Sequence, residues 1–322
     1  MNALIFEKFG SADVLEYRTN LPQPLLKSDE ILLEMKSIGV NYADVYRRKG
    51  NYHLAGQPPF ILGYEGSGIV AAIGKDVSHI TIGDRIGFAD VPYANAEYVA
   101  VPISKAIPLP EGISFDTAAS MLLQGLTAQY LTEDSYSIKN NDTVLVHAAA
   151  GGVGQNLVQI AKMKGATVIG LTSSPEKAAI VSNIGADAVF LYKDEWVAQT
   201  LDFTANKGVS VVYESVGATL MSSFEATRIA GTVVFYGMAG GDPEPIDPRM
   251  LMDTSKTLTG GDLWNVLTTP TARQERANRL FNWLLEGHIK TPEPTVFALE
   301  NGADAHRFLE SRQSTGKLLL HP

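Results

Sequence analysis

The pattern of apolar and polar residues changes along the 322-residue chain, and the changes predict its layout. Before about Pro110, short apolar runs alternate with Gly, Pro and Asp turns, which predicts a β-rich domain. From about Phe115, helical spacing alternates with buried strands, which predicts a parallel, doubly wound sheet. Residues 317–321 form a last apolar strand, and we expect it to join the sheet of the first domain.

The turn between the strand predicted at 143–147 and the following helix carries the first chemical signal. It reads AAAGGVG at residues 148–154 and fits the dinucleotide fingerprint, with Ala149 in place of the first glycine, then Gly151 and Gly154. Small residues let a phosphate approach the backbone, and a helix N-terminus favours an anion. Gly-rich turns also open helices that bind nothing, but the strand and amphipathic helix around this one predict a pyrophosphate site.

The next predicted strand, residues 166–171, indicates which dinucleotide binds. NAD sites usually carry an acid about 20 residues after the glycines, where it binds the ribose 2′-hydroxyl. Here the strand runs into Thr172, Ser173 and Ser174 without an acid, and Lys177 follows. A lysine accepts a 2′-phosphate that a carboxylate would repel, so NADPH is the expected cofactor. The alternative is a solvated Lys177 on the next helix.

Composition excludes several other functions. The net charge of −9 disfavours general binding to nucleic acid or to an anionic membrane. The chain has no cysteine, which removes disulfides, thiol nucleophiles and Cys-based zinc sites. The six histidines make no closely spaced pair, so no metal site is predicted. Neither a leader nor an apolar run of bilayer length is evident, so we expect a cytoplasmic protein.

Five motifs resemble the zinc-free, zeta-crystallin-like quinone oxidoreductases of the medium-chain dehydrogenase/reductase superfamily, over nearly the whole chain. They are NYADVYRRKGNY at 41–52, GYEGSG at 63–68, HAAAGGVG at 147–154, YESVG at 213–217 and TGKLLL at 315–320. Residues 39–52 and 63–68 are interpreted as loops. Zinc-dependent relatives carry Cys and Gly-His-Glu at their catalytic metal, whereas this chain has Tyr64 before Glu65 and no cysteine.

The resemblance implies a GroES-like domain at residues 1–122, a central Rossmann domain at 123–262 and a return segment at 263–322 that completes the first domain. It also implies an NADPH-dependent enzyme that forms a homodimer through the edge of the Rossmann sheet. Lys317 is expected near the adenosine phosphate, at a position where relatives often carry Arg. The residues expected at the cofactor are Asn41, Thr127, Ala150, Gly151, Gly152, Val153, Gly154, Ser173, Lys177, Tyr192, Ser215, Gly237 and Lys317.

The predicted chemistry follows from the missing metal ligands. Without a Lewis acid, oxidation of plain alcohols through an alkoxide is not expected. Hydride transfer from NADPH to an electron-poor acceptor needs only positioning and hydrogen bonds to the developing oxyanion. The candidate catalytic residues are Asn41, Tyr46 and Tyr52, although the tyrosines could equally pack in the core. Ion pairs rather than chemistry are expected of Asp44, Arg47 and Arg48.

Three functions stay open at this point. The first is an NADPH:quinone reductase, and the second is a reductase of enals, enones or enoyl thioesters. The third is a non-enzymatic NADPH-binding protein, crystallin-like or RNA-associated. No dense Lys/Arg cluster suits coenzyme A, and the acidic balance weighs against RNA. The expected partner is therefore a small quinone or enone, with no nucleic acid and no membrane.

Overall fold

The computed structural model describes residues 1–322, which form two compact units. The split unit comprises Met1–Leu123 and Leu267–Pro322, and the central unit comprises Gln124–Val266. The boundaries expected from the sequence follow residues 122 and 262, whereas in the structure they follow Leu123 and Val266. Each unit has its own sheets and its own apolar core.

The strands are β1 (Ala3–Phe6), β2 (Glu16–Arg18), β3 (Glu30–Val40), β4 (Phe60–Ile61), β5 (Glu65–Ile73), β6 (Arg85–Ala89), β7 (Tyr98–Pro102), β8 (Ile107–Pro108), β9 (Thr143–Val146), β10 (Thr167–Thr172), β11 (Ala188–Leu191), β12 (Val209–Glu214), β13 (Thr227–Phe235), β14 (Thr257–Gly260), β15 (Thr295–Ala298) and β16 (Leu318–His321). The α-helices are α1 (Tyr42–Lys49), α2 (Phe115–Tyr130), α3 (Gly152–Met163), α4 (Pro175–Asn183), α5 (Trp196–Phe203), α6 (Leu220–Ala226), α7 (Pro248–Thr254), α8 (Pro270–Leu285) and α9 (Gly302–Glu310). Short 3₁₀ helices lie at Ala12–Val14, Ile103–Lys105, Leu263–Asn265 and Leu299–Asn301, and a π-helical turn lies at Leu131–Ser135.

The split unit is built on a seven-stranded sheet in the order β15-β16-β3-β5-β6-β8, with β7 also paired to β3, and on a three-stranded sheet β2-β1-β4. Strand β16 pairs antiparallel with β3, so that Leu318 lies opposite Val40. This pairing confirms that the last predicted strand joins the sheet of the first domain. Apolar side chains from both sheets form the core of the unit, among them Leu4, Phe6, Ile31, Leu33, Phe88 and Leu320.

The central unit holds a six-stranded parallel sheet in the order β11-β10-β9-β12-β13-β14. Numbered by appearance within the unit, this is the doubly wound order 3-2-1-4-5-6. The predicted doubly wound parallel sheet is thus confirmed. The order reverses between β9 and β12, and such sheets bind ligands at the carboxyl ends of the strands beside the reversal. The glycine turn follows β9 directly.

Both predicted loops of the first domain are wrong in part. Residues 42–49 form helix α1, which begins after Asn41, whose N–H donates to Asp44 Oδ2 at 2.9 Å. The helix ends at Gly50, which takes a left-handed φ of 81°. Asp44 and Gly50 are ordinary start and stop signals, and the density of polar side chains between them obscured the helix. In the second loop, β5 already begins at Glu65.

Candidate active site

The glycine turn of the central unit joins β9 to α3. Ala148 takes a left-handed φ of 46°, which non-glycine residues rarely adopt. Gly151 is the N-cap of α3 and has no side chain that could cap the first N–H groups of the helix. The helix therefore presents its positive end at the turn, as a dinucleotide-binding turn requires.

Close backbone contacts explain the glycines of this turn. A Cβ on Gly154 would lie 2.3 Å from the Ala148 carbonyl oxygen, so no side chain fits there. A Cβ on Gly152 would lie 1.9 Å from Gln124 Oε1, and one on Gly151 would lie 3.1 Å from the Ala148 oxygen. Tight packing of helix against strand is the role of the third glycine in a dinucleotide turn. The turn thus fits a pyrophosphate held by backbone N–H groups, although contacts from Ala150 to Gly154 stay a prediction.

The end of β10 offers a cation and no ribose-binding acid. Ser173 is exposed, and Ser174 caps α4 by accepting the Lys177 N–H at 3.4 Å. Burial lowers the pKa of the Lys177 ammonium, an effect that a bound anion would oppose. The next acid along the chain, Glu176, is exposed, and its hydrogen bond with Ser174 lowers its pKa. The arrangement suits a 2′-phosphate, and contacts of Ser173 and Lys177 with it stay predictions.

A buried polar network lies at the carboxyl ends of β9 and β12. His147, Glu214 and Ser223 are fully buried. Ser223 Oγ lies 2.9 Å from His147 Nε2 and donates to Glu214 Oε2 at 2.5 Å. Thr219 Oγ1 donates to the same carboxylate oxygen at 2.9 Å. No local sequence pattern indicates this network, because its residues come from different strands and a helix.

Tyr192, predicted at the cofactor, belongs to this network. Its hydroxyl oxygen accepts the Ala148 N–H at 2.8 Å and lies 3.1 Å from His147 Nδ1. Burial of the Tyr192 hydroxyl raises its pKa. The hydroxyl is therefore bonded within the protein, where it supports the glycine turn.

The remaining residues predicted at the cofactor lie at the same edge of the sheet or on α2. Ser215 directly follows β12 and Gly237 lies two residues after β13, and a Cβ on Gly237 would lie 3.2 Å from the Ser215 carbonyl oxygen. Thr127 is largely buried on α2, three residues after Gln124, whose side chain reaches Gly152. Residues three apart share a helix face, so Thr127 is directed toward the same region. Contacts of these three residues with a cofactor stay predictions.

In the split unit, Asn41 is held by two buried charged residues. Lys317 Nζ donates to Asn41 Oδ1 at 2.9 Å and to Glu65 Oε2 at 2.5 Å. Asn41 Nδ2 donates to Glu65 Oε2 at 2.9 Å and to the Gly39 carbonyl at 3.4 Å. The Leu123 N–H donates to Glu65 Oε1 at 2.6 Å. Both amide hydrogens of Asn41 therefore have acceptors inside the protein, so its predicted catalytic role would require one of these bonds to break.

The structure gives the Lys317 ammonium a buried partner. Its side chain is 1% exposed and its ammonium is paired with Glu65, and its expected position near an adenosine phosphate stays a prediction. A buried ammonium needs such a partner because desolvation penalises an unpaired charge. Lys317 also orients Asn41. No local sequence signal joins residues 41, 65 and 317.

Two tyrosine rings flank the buried guanidinium of Arg47, whose carbon lies 3.7 Å from the ring centre of Tyr64 and 4.9 Å from that of Tyr52. Arg47 Nη1 donates to Asp44 Oδ1 at 3.2 Å, and Nε donates to the His53 carbonyl at 3.1 Å. Nη2 is buried and has no hydrogen-bond partner. Burial raises the pKa of Asp44, although the Arg47 charge opposes this.

The ion pairs and the two tyrosines predicted in and next to α1 can also be located in the structure. The predicted ion pairs are confirmed by Asp44 with Arg47 and by Arg48 with Glu310, whose charged groups are 2.5 Å apart. Tyr46 and Tyr52 are half-buried rather than core residues. The Tyr46 ring packs edge-on against Tyr42, with ring centres 5.3 Å apart. Both tyrosines are thus accessible in part, while their catalytic role stays a prediction.

The structure has no set of metal ligands. Nowhere in residues 1–322 do three His, Cys, Asp or Glu side chains meet in a way that could hold a metal ion. Tyr64 stands where the zinc-dependent relatives carry His, and its hydroxyl accepts the Ala55 N–H at 2.9 Å. Burial raises the pKa of that hydroxyl. None of the helices has the length and hydropathy needed to cross a membrane.

A doubly wound nucleotide-binding sheet inserted into a β-rich unit that the last strand completes defines a medium-chain dehydrogenase/reductase. Residues 27–132 match the alcohol dehydrogenase GroES-like domain, and residues 152–278 match the zinc-binding dehydrogenase domain. The chain is 37% identical to a quinone oxidoreductase of Pseudomonas aeruginosa, with 98% of each chain covered. It is 33% identical to a 2-haloacrylate reductase of a Burkholderia species, covering 100% of this chain and 99% of that one.

A solved structure agrees with these sequence comparisons. Escherichia coli quinone oxidoreductase complexed with NADPH superposes with a TM-score of 0.96 at 35% identity, with 100% of both chains covered. The chain belongs to the quinone oxidoreductase family of the medium-chain dehydrogenase/reductase superfamily, in its zinc-free branch.

Proposed function

We propose that this protein is an NADPH:quinone oxidoreductase that works without zinc. The observation that carries the proposal is the carboxyl edge of the central sheet, where an uncapped glycine turn lies beside a strand end with Lys177 and no ribose-binding acid. Relatives named as quinone oxidoreductases, one of them solved with NADPH, match this edge and the rest of the chain.

Each unit supplies one part of the chemistry. In the central unit, backbone N–H groups of residues 150–154 would hold the pyrophosphate, except that of Gly151, which donates to the Ala148 carbonyl at 2.8 Å. Ser173 and Lys177 would hold the 2′-phosphate. Bound NADPH supplies a hydride. In the split unit, the half-buried Tyr46 and Tyr52 donate hydrogen bonds to the oxygen on which negative charge develops. Hydroxyl groups stabilise such charge more weakly than a metal ion does, so the acceptor is one that is already electron-poor.

Steady-state oxidation of NADPH and NADH with small quinones tests the proposal. We expect turnover with NADPH that survives exhaustive dialysis against a chelator. With NADP⁺, simple secondary alcohols should not be oxidised. Efficient oxidation of such an alcohol, or activity that zinc restores after dialysis, would overturn the proposal. No turnover with any electron-poor acceptor, together with tight NADPH binding, would favour a non-enzymatic role.

Cofactor choice is tested separately at Lys177. A charge-assisted hydrogen bond contributes about 1.5–3 kcal/mol, so Lys177→Ala should weaken NADPH binding about 10-fold or more. NADH binding should hardly change, because NADH has no 2′-phosphate. Lys193→Ala, which removes a lysine after the next strand, is the control. Equal losses of affinity for NADPH and NADH would show that Lys177 does not bind the 2′-phosphate.

A second candidate acceptor is an α,β-unsaturated acid or carbonyl compound. The observation that favours it is Arg47 Nη2, a buried donor without a partner beside the Tyr52 ring. A conjugated carboxylate would satisfy that donor, and one relative is named for reduction of 2-haloacrylate. Arg47→Met should then raise KM for 2-chloroacrylate far more than for a neutral quinone, while the exposed Lys49→Met should affect neither. Equal effects on both acceptors would remove this candidate.

We also propose a cytoplasmic homodimer. Strand β14 lies at the edge of the central sheet, where it pairs only with β13, and unpaired sheet edges favour association with another strand. Exposed apolar side chains occur on the neighbouring elements, with Ile229 74% and Met252 71% exposed. Light scattering should give twice the chain mass of 34.7 kDa. A monomer at micromolar concentration would contradict the proposal.

A further inference from the structure

Hydrogen positions in the buried network of the central unit follow from a count of donors and acceptors. The Tyr192 oxygen accepts the Ala148 N–H at 2.8 Å, so the hydroxyl hydrogen can be donated to His147 Nδ1, 3.1 Å away. A ring nitrogen that accepts carries no hydrogen, so a neutral His147 holds its hydrogen on Nε2. Nε2 can then donate to Ser223 Oγ at 2.9 Å.

The same count continues to the carboxylate of Glu214. Ser223 donates to Oε2 at 2.5 Å and Thr219 donates to the same oxygen at 2.9 Å. Oε1 accepts the N–H groups of Val216 and Gly217 at 2.6 and 3.1 Å. The carboxylate thus only accepts, as its ionised form requires. The bonds that link Ala148, Tyr192, His147 and Ser223 all run toward Glu214, and Thr219, Val216 and Gly217 donate to it separately.

The surroundings of His147 favour the neutral ring. Burial lowers its pKa, and the carboxylate of Glu214 opposes this only in part. Burial alone would raise the pKa of Glu214, but the charge that His147 carries when protonated and the donors from Ser223, Val216 and Thr219 lower it on balance. The remaining neighbours are the Tyr192 hydroxyl, Thr219 Oγ1 at 3.4 Å from Nδ1, Glu214 Oε2 at 3.3 Å from Nε2, and the edge of the Trp196 ring, whose centre lies 5.4 Å from that of His147. With hydrogen on Nδ1, the Tyr192 oxygen would accept from both Ala148 and His147, and its own hydrogen would no longer point to the ring.

The two ends of the network hold the two turns that flank the reversal of strand order. At one end, Tyr192 fixes the N–H of Ala148, whose left-handed φ of 46° starts the glycine turn. At the other end, Glu214 fixes Val216 and Gly217 in the turn after β12. We propose that His147 and Tyr192 are positioning residues, which set both turns of the pyrophosphate site through one directed hydrogen-bond chain. This rests on the proposed use of NADPH.

Variants of Tyr192 and His147 test the proposal through NADPH binding, measured by fluorescence titration. Tyr192→Phe removes the acceptor of the Ala148 N–H, and we expect the Kd to rise about 10-fold, with a smaller change in kcat. His147 is fully buried and cannot touch the cofactor, so a similar loss in His147→Leu would show an effect transmitted through the network. The double variant should lose little more than either single variant, because the two residues act in one chain.

Two further variants separate positioning from general loss of stability. His147→Asn keeps an acceptor near the position of Nδ1, so it should bind NADPH better than His147→Leu does. Tyr213→Phe removes another buried hydroxyl of the same sheet, which donates to the Leu131 carbonyl at 3.3 Å outside the network. It should leave the Kd within about twofold. The proposal is wrong if Tyr192→Phe and Tyr213→Phe bind NADPH with the same Kd. It is also wrong if His147→Leu and His147→Asn bind NADPH with the same Kd.

A measurement without cofactor keeps the proposal testable even if a variant does not fold. Nitrogen-15 NMR of the histidine rings, with His147 assigned by its loss in His147→Asn, should show hydrogen on Nε2 and none on Nδ1. Hydrogen on Nδ1 at pH 7 would overturn the proposed direction. Failure of the wild-type protein to bind NADPH at all would instead overturn the proposed function, while an Nε2–H ring would still be seen.

Discussion

Glu65 in the split unit and Glu214 in the central unit are both fully buried carboxylates, and the two are neutralised in different ways. In the split unit, Glu65 is paired with the ammonium of Lys317, and this ion pair orients Asn41. In the central unit, Glu214 has no Lys or Arg partner and is held by hydroxyl and N–H donors, while His147 Nε2, on a ring whose pKa is lowered by burial, lies 3.3 Å from Oε2. The first arrangement is a full charge pair, whereas the second is a set of directed dipoles. Loss of a partner should therefore cost more in the split unit.

The largest expected effect comes from breaking the ion pair. Lys317→Met leaves Glu65 charged and buried, which costs about 3–5 kcal/mol of unfolding free energy. Urea denaturation measures this loss. Lys27→Met, which removes a lysine with a 78% exposed side chain from its pair with Glu30 at 2.9 Å, should cost much less, because water screens the ammonium. Replacing Glu65 as well, in Lys317→Met/Glu65→Gln, should recover part of the loss. A cost for Lys317→Met no larger than for Lys27→Met would remove the contrast between the two carboxylates.

An intermediate effect is expected from Ser223→Ala in the central unit. It removes one donor from a carboxylate that keeps three others, so we expect a loss of about 1.5–3 kcal/mol. The control is Ser67→Ala, a buried hydroxyl that donates to the neutral Phe115 carbonyl at 2.8 Å. Its loss should be about 0.5–1.5 kcal/mol. Identical losses by urea denaturation would show that the charge of Glu214 adds nothing to the Ser223 bond.

The smallest expected effect is a dependence of the unfolding free energy on pH, which arises from buried neutral histidines. Burial lowers the pKa of His147 in the central unit and lowers that of His306 in the split unit to about 3. The unfolded chain takes up these protons near pH 6.5, so stability is complete above that pH and falls as pH decreases below it. Each histidine contributes a slope of up to about 1.4 kcal/mol per pH unit.

Single variants show how much each unit contributes to this dependence of stability on pH. Thermal unfolding between pH 7 and pH 5 should show a shallower decline in His147→Asn and in His306→Asn than in the wild type. An unchanged slope in His147→Asn would mean that His147 is not neutral in the folded protein.

Much of the fold could be predicted from sequence because its signals are local. The strand at 143–146, the turn and α3 appear as a change from β-branched residues to helical spacing. Thr269 caps α8 by accepting the Ala272 N–H at 3.1 Å, and Pro270 follows at the first helical position, as predicted from their order. Helix α1 was missed because its polar side chains face inward as ion pairs, so its apolar spacing is poor.

The candidate site could be predicted only where its residues lie in one continuous segment of the sequence. The glycine turn and the acid-free end of β10 are such segments. The partners of Asn41 come from positions 65 and 317, and those of His147 from 192, 214 and 223, so no spacing rule reveals them. Tyr192 and Lys317 were consequently expected to contact the cofactor, whereas their polar groups are bonded within the protein.

The pairing of β16 with β3 also constrains the order in which the protein is assembled during synthesis. The central unit is continuous in sequence and can fold as soon as residue 266 has left the ribosome, since domains generally fold as units as they emerge. The sheet that holds Asn41 must wait for residues 318–321, which arrive later. Until then, Glu65 has no ammonium to pair with, and residues 38–40 of β3 lack the strand that pairs with them on that edge. The nucleotide-binding half is therefore complete while the half that carries the candidate catalytic tyrosines is still open.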